Sequence, residues 1–233
     1  MLFQNHTDKY FLRSKKILKL HGINPIVRYQ VFARKNINVL NGLDAAVEFI
    51  KNSAPKSKIY ALKDGMSYLS GEPMIKIEGN IQDLICLETY YLSLLSGNFT
   101  DNIDIDLLRS NIKDIKYSAE EKPLYYFGAR HFDPYLDRII CQLCKEEGFL
   151  GCSTDAGAES WKTTGVGTIP HALILAYKAY LKKNNIKLNP TVEVSKLFNK
   201  YIKKEVPRIV LIDTFNREID DALLTCKSLK IDG

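Results

Sequence analysis

The strongest constraint on the fold lies in the second half of the chain, where short apolar runs alternate with helical patterns. "PLYYFGAR" (123–130) leads into "DPYLDRIICQLCKEEG" (133–148), "FLGCS" (149–153) into "DAGAESWK" (155–162), and "PRIVLIDT" (207–214) into "NREIDDALLTCKSL" (216–229). Strand-helix alternation with connections this short predicts a parallel α/β arrangement, in which functional groups collect at the carboxyl ends of strands. Three such ends carry chemistry: "FGAR", "GCST" and "IDTF".

The first half reads differently. A helix over 13–22 stops at Gly22, a strand follows over 24–34, and "NGLDAAVEFIKN" forms a helix capped near Asn41. Turn signals at Asp64-Gly65 and at 70–73 break residues 58–79 into short sequential strands, an α+β pattern. The segment 81–98 reads as one helix, with Ile81, Leu84, Ile85, Leu92 and Leu95 on a stripe that also holds Glu88. A carboxylate on such a stripe needs a partner and serves better as a buried hydrogen-bonding residue than as a catalyst. Residues 100–120 form a polar stretch before the rhythm changes.

A chain of 233 residues, 45% apolar, can bury a sizeable core. No apolar run approaches the roughly 20 residues of a membrane span, and the N-terminal residues lack a secretory signal's apolar core, so the expected address is cytoplasmic. Five cysteines, an odd number, argue for reduced thiols. The C-x-x-C of Cys141 and Cys144 has no second pair at zinc-finger spacing and reads as buried in a helix. The net charge of +6 comes from dispersed lysines on helix faces, without a nucleic-acid-binding signature.

Each candidate site residue has a bland and a chemical reading. Phe127 and Arg130 set an aromatic face beside a guanidinium, suited to a flat aromatic anion or a phosphate; a core ring and a surface arginine are the plainer alternative. Ser153 and Thr154 precede small residues and either hold an anion or cap a helix. In "GVGTIPHAL", Thr168 can cap and Pro170 suits a first turn. His171 then stands at the positive end of a helix, as a neutral nucleophile or as a histidine tied to the backbone. Asp213, after four apolar residues, can hold Mg²⁺ or a ribose hydroxyl, or cap the next helix. There is no P-loop, dinucleotide fingerprint or nucleophile elbow.

In order along the chain, "TDKYFLRSKKIL", "EGNIQDLICLETYYLSLLS", "FGARHFDP", "GFLGCST", "GTIPHAL" and "VPRIVLIDTF" resemble nicotinate phosphoribosyltransferases of the archaeal type, within the type II phosphoribosyltransferases. The resemblance implies an α/β protein: an α+β sandwich and dimerisation domain over 1–120, then the first part of an α/β barrel over 121–233. It implies nicotinate and 5-phosphoribosyl 1-pyrophosphate as substrates, nicotinate mononucleotide and pyrophosphate as products, Mg²⁺ as cofactor, ATP hydrolysis coupled to turnover, and a homodimer with shared sites.

By the same resemblance, Tyr10 reaches into a neighbouring subunit's site and stacks on the pyridine, with Phe127 or its neighbours as the opposite wall. Arg130 meets phosphate or pyrophosphate oxygens, and Thr168 belongs to the substrate-binding set. Ser153 replaces an aspartate of nicotinamide-using relatives and so favours nicotinate. His171 accepts a phosphoryl group from ATP, and Asp213 lies near ribose and metal. His131 stands where many relatives carry a second arginine. The later strands and glycine-rich phosphate loop of the family do not follow, so the barrel is expected to be incomplete in this chain. One half of a split enzyme, joined by a second polypeptide, and a truncated product both meet that expectation. The alternatives are a quinolinate or nicotinamide phosphoribosyltransferase of the same fold, or a non-catalytic assembly subunit.

Overall fold

A computed structural model describes residues 3–97 and 103–230. In chain order the elements are α1 (Lys9–Leu20), β1 (Ile26–Val31), α2 (Leu43–Ser53), β2 (Lys58–Ala61), β3 (Ile75–Asn80), α3 (Ile81–Leu84) and α4 (Glu88–Gly97). They continue with α5 (Ile105–Ala119), α6 (Pro134–Glu146), α7 (Asp155–Ala158), α8 (His171–Lys183), α9 (Pro190–Tyr201) and α10 (Glu218–Leu229). The chain forms two compact units. One takes residues up to 9 with 28–79 and 86–166; the other takes 10–27, 80–85 and the residues from 167 onward.

In the first unit a three-stranded sheet runs in the order β1-β3-β2, with β2 antiparallel to β3 and Ile59 opposite Ile77. Ile75 and Ile77 are buried and Lys76 between them is exposed, the alternation of a sheet with one covered face. Helix α2 buries Leu43, Ala46 and Ile50 on one stripe. Its cap differs from the expected Asn41: Gly42 precedes the helix, and Asp64, from the tight turn at Gly65, accepts from the N–H groups of Leu43 at 2.8 Å and Asp44 at 3.3 Å. A distant carboxylate thus satisfies the first-turn donors that a local side chain was expected to serve.

The helix expected over 81–98 is broken into α3 and α4; position 98 lies outside the described residues. Ile85, Cys86 and Leu87, between the two, are all buried, which a single stripe of a continuous helix does not allow. The turn leaves the Cys86 carbonyl to accept from the Thr7 hydroxyl at 3.0 Å. The polar stretch, whose first residues 100–102 also lie outside the described ones, contains α5. Asp104 caps it by accepting from the N–H groups of Asp106 and Leu107, and Ile112 is its buried residue.

Helix α6 follows the sequence closely. Asp133 caps it, Pro134 opens it, and Gly148 takes the left-handed backbone just beyond its end. Where three parallel strands are expected, the described residues form single parallel bridges instead. Residues 124–126 pair with 150–153 through one parallel bridge, Tyr126 to Cys152, and 209–211 pair with Ile169 through another, at Val210.

In the second unit α1 buries Tyr10, Phe11, Ile17 and Leu18 and ends at Gly22, where the Ile23 N–H returns to the Leu18 carbonyl at 2.9 Å. Helices α8 and α10 pack against α9, which buries Val192, Val194, Leu197 and Phe198. Asp221 of α10 is fully buried and accepts from Asn189 Nδ2 at 2.7 Å and Thr191 Oγ1 at 2.8 Å, tying it to the start of α9.

Candidate active site

The site residues expected from the sequence divide between the two units: Phe127, Arg130 and Ser153 in one and His171 and Asp213 in the other follow parallel-paired segments, whereas Tyr10 lies within α1 and Thr168 precedes the paired Ile169. In the first unit, the Leu150 N–H donates to the Leu124 carbonyl at 2.8 Å, Tyr126 to Gly151 at 2.9 Å, and Ser153 to Tyr126 at 3.0 Å. In that register Phe127 and Ser153 each directly follow a member of the bridged pair Tyr126 and Cys152. Gly128 follows, and a Cβ there would stand 2.4 Å from the Tyr126 hydroxyl, so a larger residue has to displace that ring. A short 3-10 turn, Ala129–His131, then presents Arg130.

Arg130 is held by two acids. Its Nη1 donates to Glu88 Oε1 at 3.0 Å, and its Nε lies 3.7 Å from Asp8 Oδ2. Asp8 is fixed by Thr89, which takes the Asp8 N–H at 3.1 Å and donates its hydroxyl to Asp8 Oδ2 at 2.8 Å. Glu88 therefore has the partner that its place on an apolar stripe requires. Burial raises its pKa, and the Arg130 charge pulls it part of the way back.

Residues 8–9 pair antiparallel with 153–154: Asp8 bridges Thr154, and the Lys9 N–H reaches the Ser153 carbonyl at 2.7 Å. Lys9 Nζ meets Asp155 Oδ2 at 2.6 Å. Thr154 caps α7 by accepting from the Gly157 N–H at 3.1 Å, the plainer of its two readings. Ser153 is 1% exposed, and its Oγ is buried without a hydrogen-bond partner. An unmade bond at a buried hydroxyl costs about 1–3 kcal/mol. Gly165 closes the corner, its Cα so near the Ser153 carbonyl that a Cβ would approach to 2.7 Å.

Asp137 escaped the reading of the sequence. It occupies the buried stripe of α6 with Ile140, Cys141 and Cys144, at spacings of three, four and seven, the same signal that marked Glu88. Its Oδ1 has no hydrogen-bond partner. Burial raises its pKa to about 7, with the neighbouring Tyr126 hydroxyl pulling down and Asp8 pushing up. Asp8, in "TDKYF", is a second buried carboxylate of this corner.

In the second unit, the Ile169 N–H donates to the Ile209 carbonyl at 2.8 Å and Leu211 to Ile169 at 3.4 Å. Just beyond this parallel pairing, His171 Nε2 lies 2.8 Å from Asp213 Oδ1. The bond from His171 is the chief cause of a lowered Asp213 pKa. Both side chains are about half exposed, 47% and 58%. His171 is the first residue of α8, and the residue before it is Pro170, with no side-chain cap. Thr168 does not cap this helix, because the chain between them is extended at Pro170. Tyr10 is 7% exposed, its ring edge-on to Phe11 at 4.5 Å, so it packs inside its own chain. Arg13 Nη1 reaches the Gly167 carbonyl at 3.4 Å.

Among the described residues no three His, Cys, Asp or Glu side chains cluster as a metal site, and no helix is long and apolar enough to cross a membrane. His171 engages only the Oδ1 of Asp213, and a lone carboxylate of this kind fits Mg²⁺ only where other oxygen ligands complete the shell.

The chain has a mixed helix and sheet fold that is also found in phosphoribosyltransferases. It superimposes on the nicotinate phosphoribosyltransferase from Porphyromonas gingivalis with a TM-score of 0.62 at 13% identity, covering 84% of this chain and 60% of that one. The nicotinate phosphoribosyltransferase from Vibrio cholerae gives a TM-score of 0.60 at 15% identity, with 85% and 57% covered. Residues 8–97 match the family model described as quinolinate phosphoribosyl transferase, N-terminal domain. The nicotinate-nucleotide pyrophosphorylase from Pyrococcus furiosus is 31% identical over 96% of this chain and 54% of that one, with a TM-score of 0.44. The chain thus spans little more than half the length of each of these proteins. A search of curated proteins found no match.

Proposed function

We propose that this chain serves a phosphoribosyltransferase that joins nicotinate to 5-phosphoribosyl 1-pyrophosphate, releasing nicotinate mononucleotide and pyrophosphate, with ATP hydrolysis driving turnover. The observation that carries the proposal is the recurrence of one arrangement. Phe127, Arg130 and Ser153 in one unit, and His171 and Asp213 in the other, stand just past parallel-paired segments. Ligands of α/β proteins bind at such ends.

Phe127 stacks on the pyridine, the Ser153 hydroxyl supplies an uncharged hydrogen bond beside the substrate carboxylate, and Arg130 balances anionic oxygens. Glu88 and Asp8 hold Arg130 in one geometry, so the guanidinium meets substrate without reorganising. Thr168, three residues before His171, contributes to phosphate binding. Tyr10 has to turn out of its packed position to stack on a pyridine. With Asp213 accepting from Nε2–H, the lone pair of His171 is on Nδ1, the atom that attacks the γ-phosphorus of ATP. Mg²⁺, when bound at Asp213, neutralises charge on the leaving pyrophosphate.

The match of residues 8–97 favours a second reading, in which quinolinate is the substrate and carbon dioxide a further product. Incubation with phosphoribosyl pyrophosphate, Mg²⁺ and ATP, offering nicotinate, quinolinate or nicotinamide in turn, separates the two. Nucleotide from nicotinate alone is the expected result. Labelled carbon dioxide from carboxyl-labelled quinolinate installs the second reading, preference for nicotinamide removes the role given to Ser153, and no nucleotide from any of the three, both without and with a polypeptide that supplies the rest of the barrel, defeats both. Labelled ATP is expected to give an acid-labile phosphoprotein that His171→Ala abolishes.

A further inference from the structure

The sequence pairs Cys141 with Cys144 by spacing, and the fold separates them. Cys144 packs with Ile112, Ile140, Leu143 and Phe149, whereas Cys141 packs with Cys152 and Ala158. Both sulfurs of that second pair crowd the same residue. A Cβ built on Gly157 would stand 2.4 Å from Cys141 Sγ and 2.7 Å from Cys152 Sγ, so the missing methyl is what lets the two thiols lie side by side. We infer that Cys141 and Cys152 form a reversible disulfide, which fastens α6 to the segment carrying Ser153.

The chemistry of the pair fits this modification. A hydrogen bond from the Cys141 thiol holds Cys152 below the usual thiol range and keeps the proton on Cys141, while burial pushes Cys144 up to about 12. Cys152 is therefore the attacking sulfur and Cys141 the resolving one. With hydrogen peroxide as oxidant, the Cys152 thiolate takes one peroxide oxygen, the O–O bond breaks, and a sulfenic acid and hydroxide result. The hydroxide removes the Cys141 proton. The Cys141 sulfur then attacks the Cys152 sulfur and expels the second oxygen as hydroxide. The proton first lost by Cys152 turns that hydroxide into water. Two thiols lose two electrons in all, and one peroxide becomes two waters.

Oxidation also removes the Cys152 S–H, which donates to the Thr154 carbonyl at 3.5 Å, on the residue after Ser153. If the proposed role of Ser153 holds, the disulfide alters substrate binding, but its existence can be read without any activity. The folded chain is treated with hydrogen peroxide, free thiols are blocked, and peptides are mapped without reduction. The expected product is a Cys141–Cys152 cross-linked peptide that dithiothreitol releases and that Cys141→Ser and Cys152→Ser each abolish. Exposed Cys226 reports that oxidant reached the protein. Oxidised Cys226 with Cys141 and Cys152 still reduced, or any linkage through Cys144, overturns the inference, and mapping of the unaltered chain decides this even where a variant folds poorly.

Discussion

Replacing Asp137 by asparagine changes one titrating group and almost no volume, in a place where the cost of charge is legible. The carboxyl is 2% exposed, its Oδ1 has no hydrogen-bond partner, and its pKa rises from 3.8 to about 7, burial being the largest cause. An acid whose pKa is higher in the folded state than in the unfolded one contributes its full stability below the unfolded value. That contribution is lost as the pH climbs through the folded value. Each pH unit inside the window costs about 1.4 kcal/mol, so roughly 4 kcal/mol is lost between pH 4 and pH 7. Asparagine has no such dependence. The difference between the two proteins isolates Asp137, because the other titrating groups are common to both. Urea unfolding can be followed through the sole tryptophan, Trp161, which packs against Cys141 and Cys152 and donates to the Phe149 carbonyl at 2.8 Å. Between pH 4.5 and pH 8.5, Asp137→Asn is expected to gain on the wild type by several kcal/mol, most of it below pH 7. A difference that stays flat with pH refutes the reasoning.

Asp221→Ala should cost about 3 kcal/mol, measured by thermal or chemical unfolding, because it strands the buried hydroxyl of Thr191 and the partly buried amide of Asn189. Gly157→Ala forces a methyl between two sulfurs and should destabilise by about 2 kcal/mol in the same assay; a neutral result would contradict the packing of Cys141 against Cys152. Asp104→Ala should cost about 1 kcal/mol and weaken amide-exchange protection at the start of α5. His171→Ala should leave the melting temperature nearly unchanged, since its contact with Asp213 is half exposed, while removing the label from ATP.

Local chemistry made much of this legible in advance. Asp133-Pro134 before a run with helical spacing, and Gly148 after it, mark both ends of α6, and Gly22 marks the end of α1. Glu88 on an apolar stripe called for a partner, and Arg130 is that partner. The same rule applied to 133–148 would have found Asp137. Where the reading departs from the structure, a distant residue intervened. Asp64 caps α2 from across the chain, and Thr7 takes the carbonyl freed where the 81–98 helix breaks. Helix α5 went unseen because, of its fifteen residues, only Ile112 is buried, too thin a stripe to stand out in a polar stretch.

The sequence by itself determined both ends of α6 and the end of α1 through a cap, a proline and glycines, and it singled out "FGAR", "GCST" and "IDTF" as the chain ends expected to carry chemistry, because those signals act within a few residues. Only the tertiary structure decided which of these groups meet. Arg130 lies between Asp8 and Glu88, His171 beside Asp213, and Cys141 beside Cys152 rather than Cys144. Contacts across 42 to 122 residues of chain, as in the first of these, depend on how buried faces pack, and hydrophobic burial has no direction that a local pattern could encode.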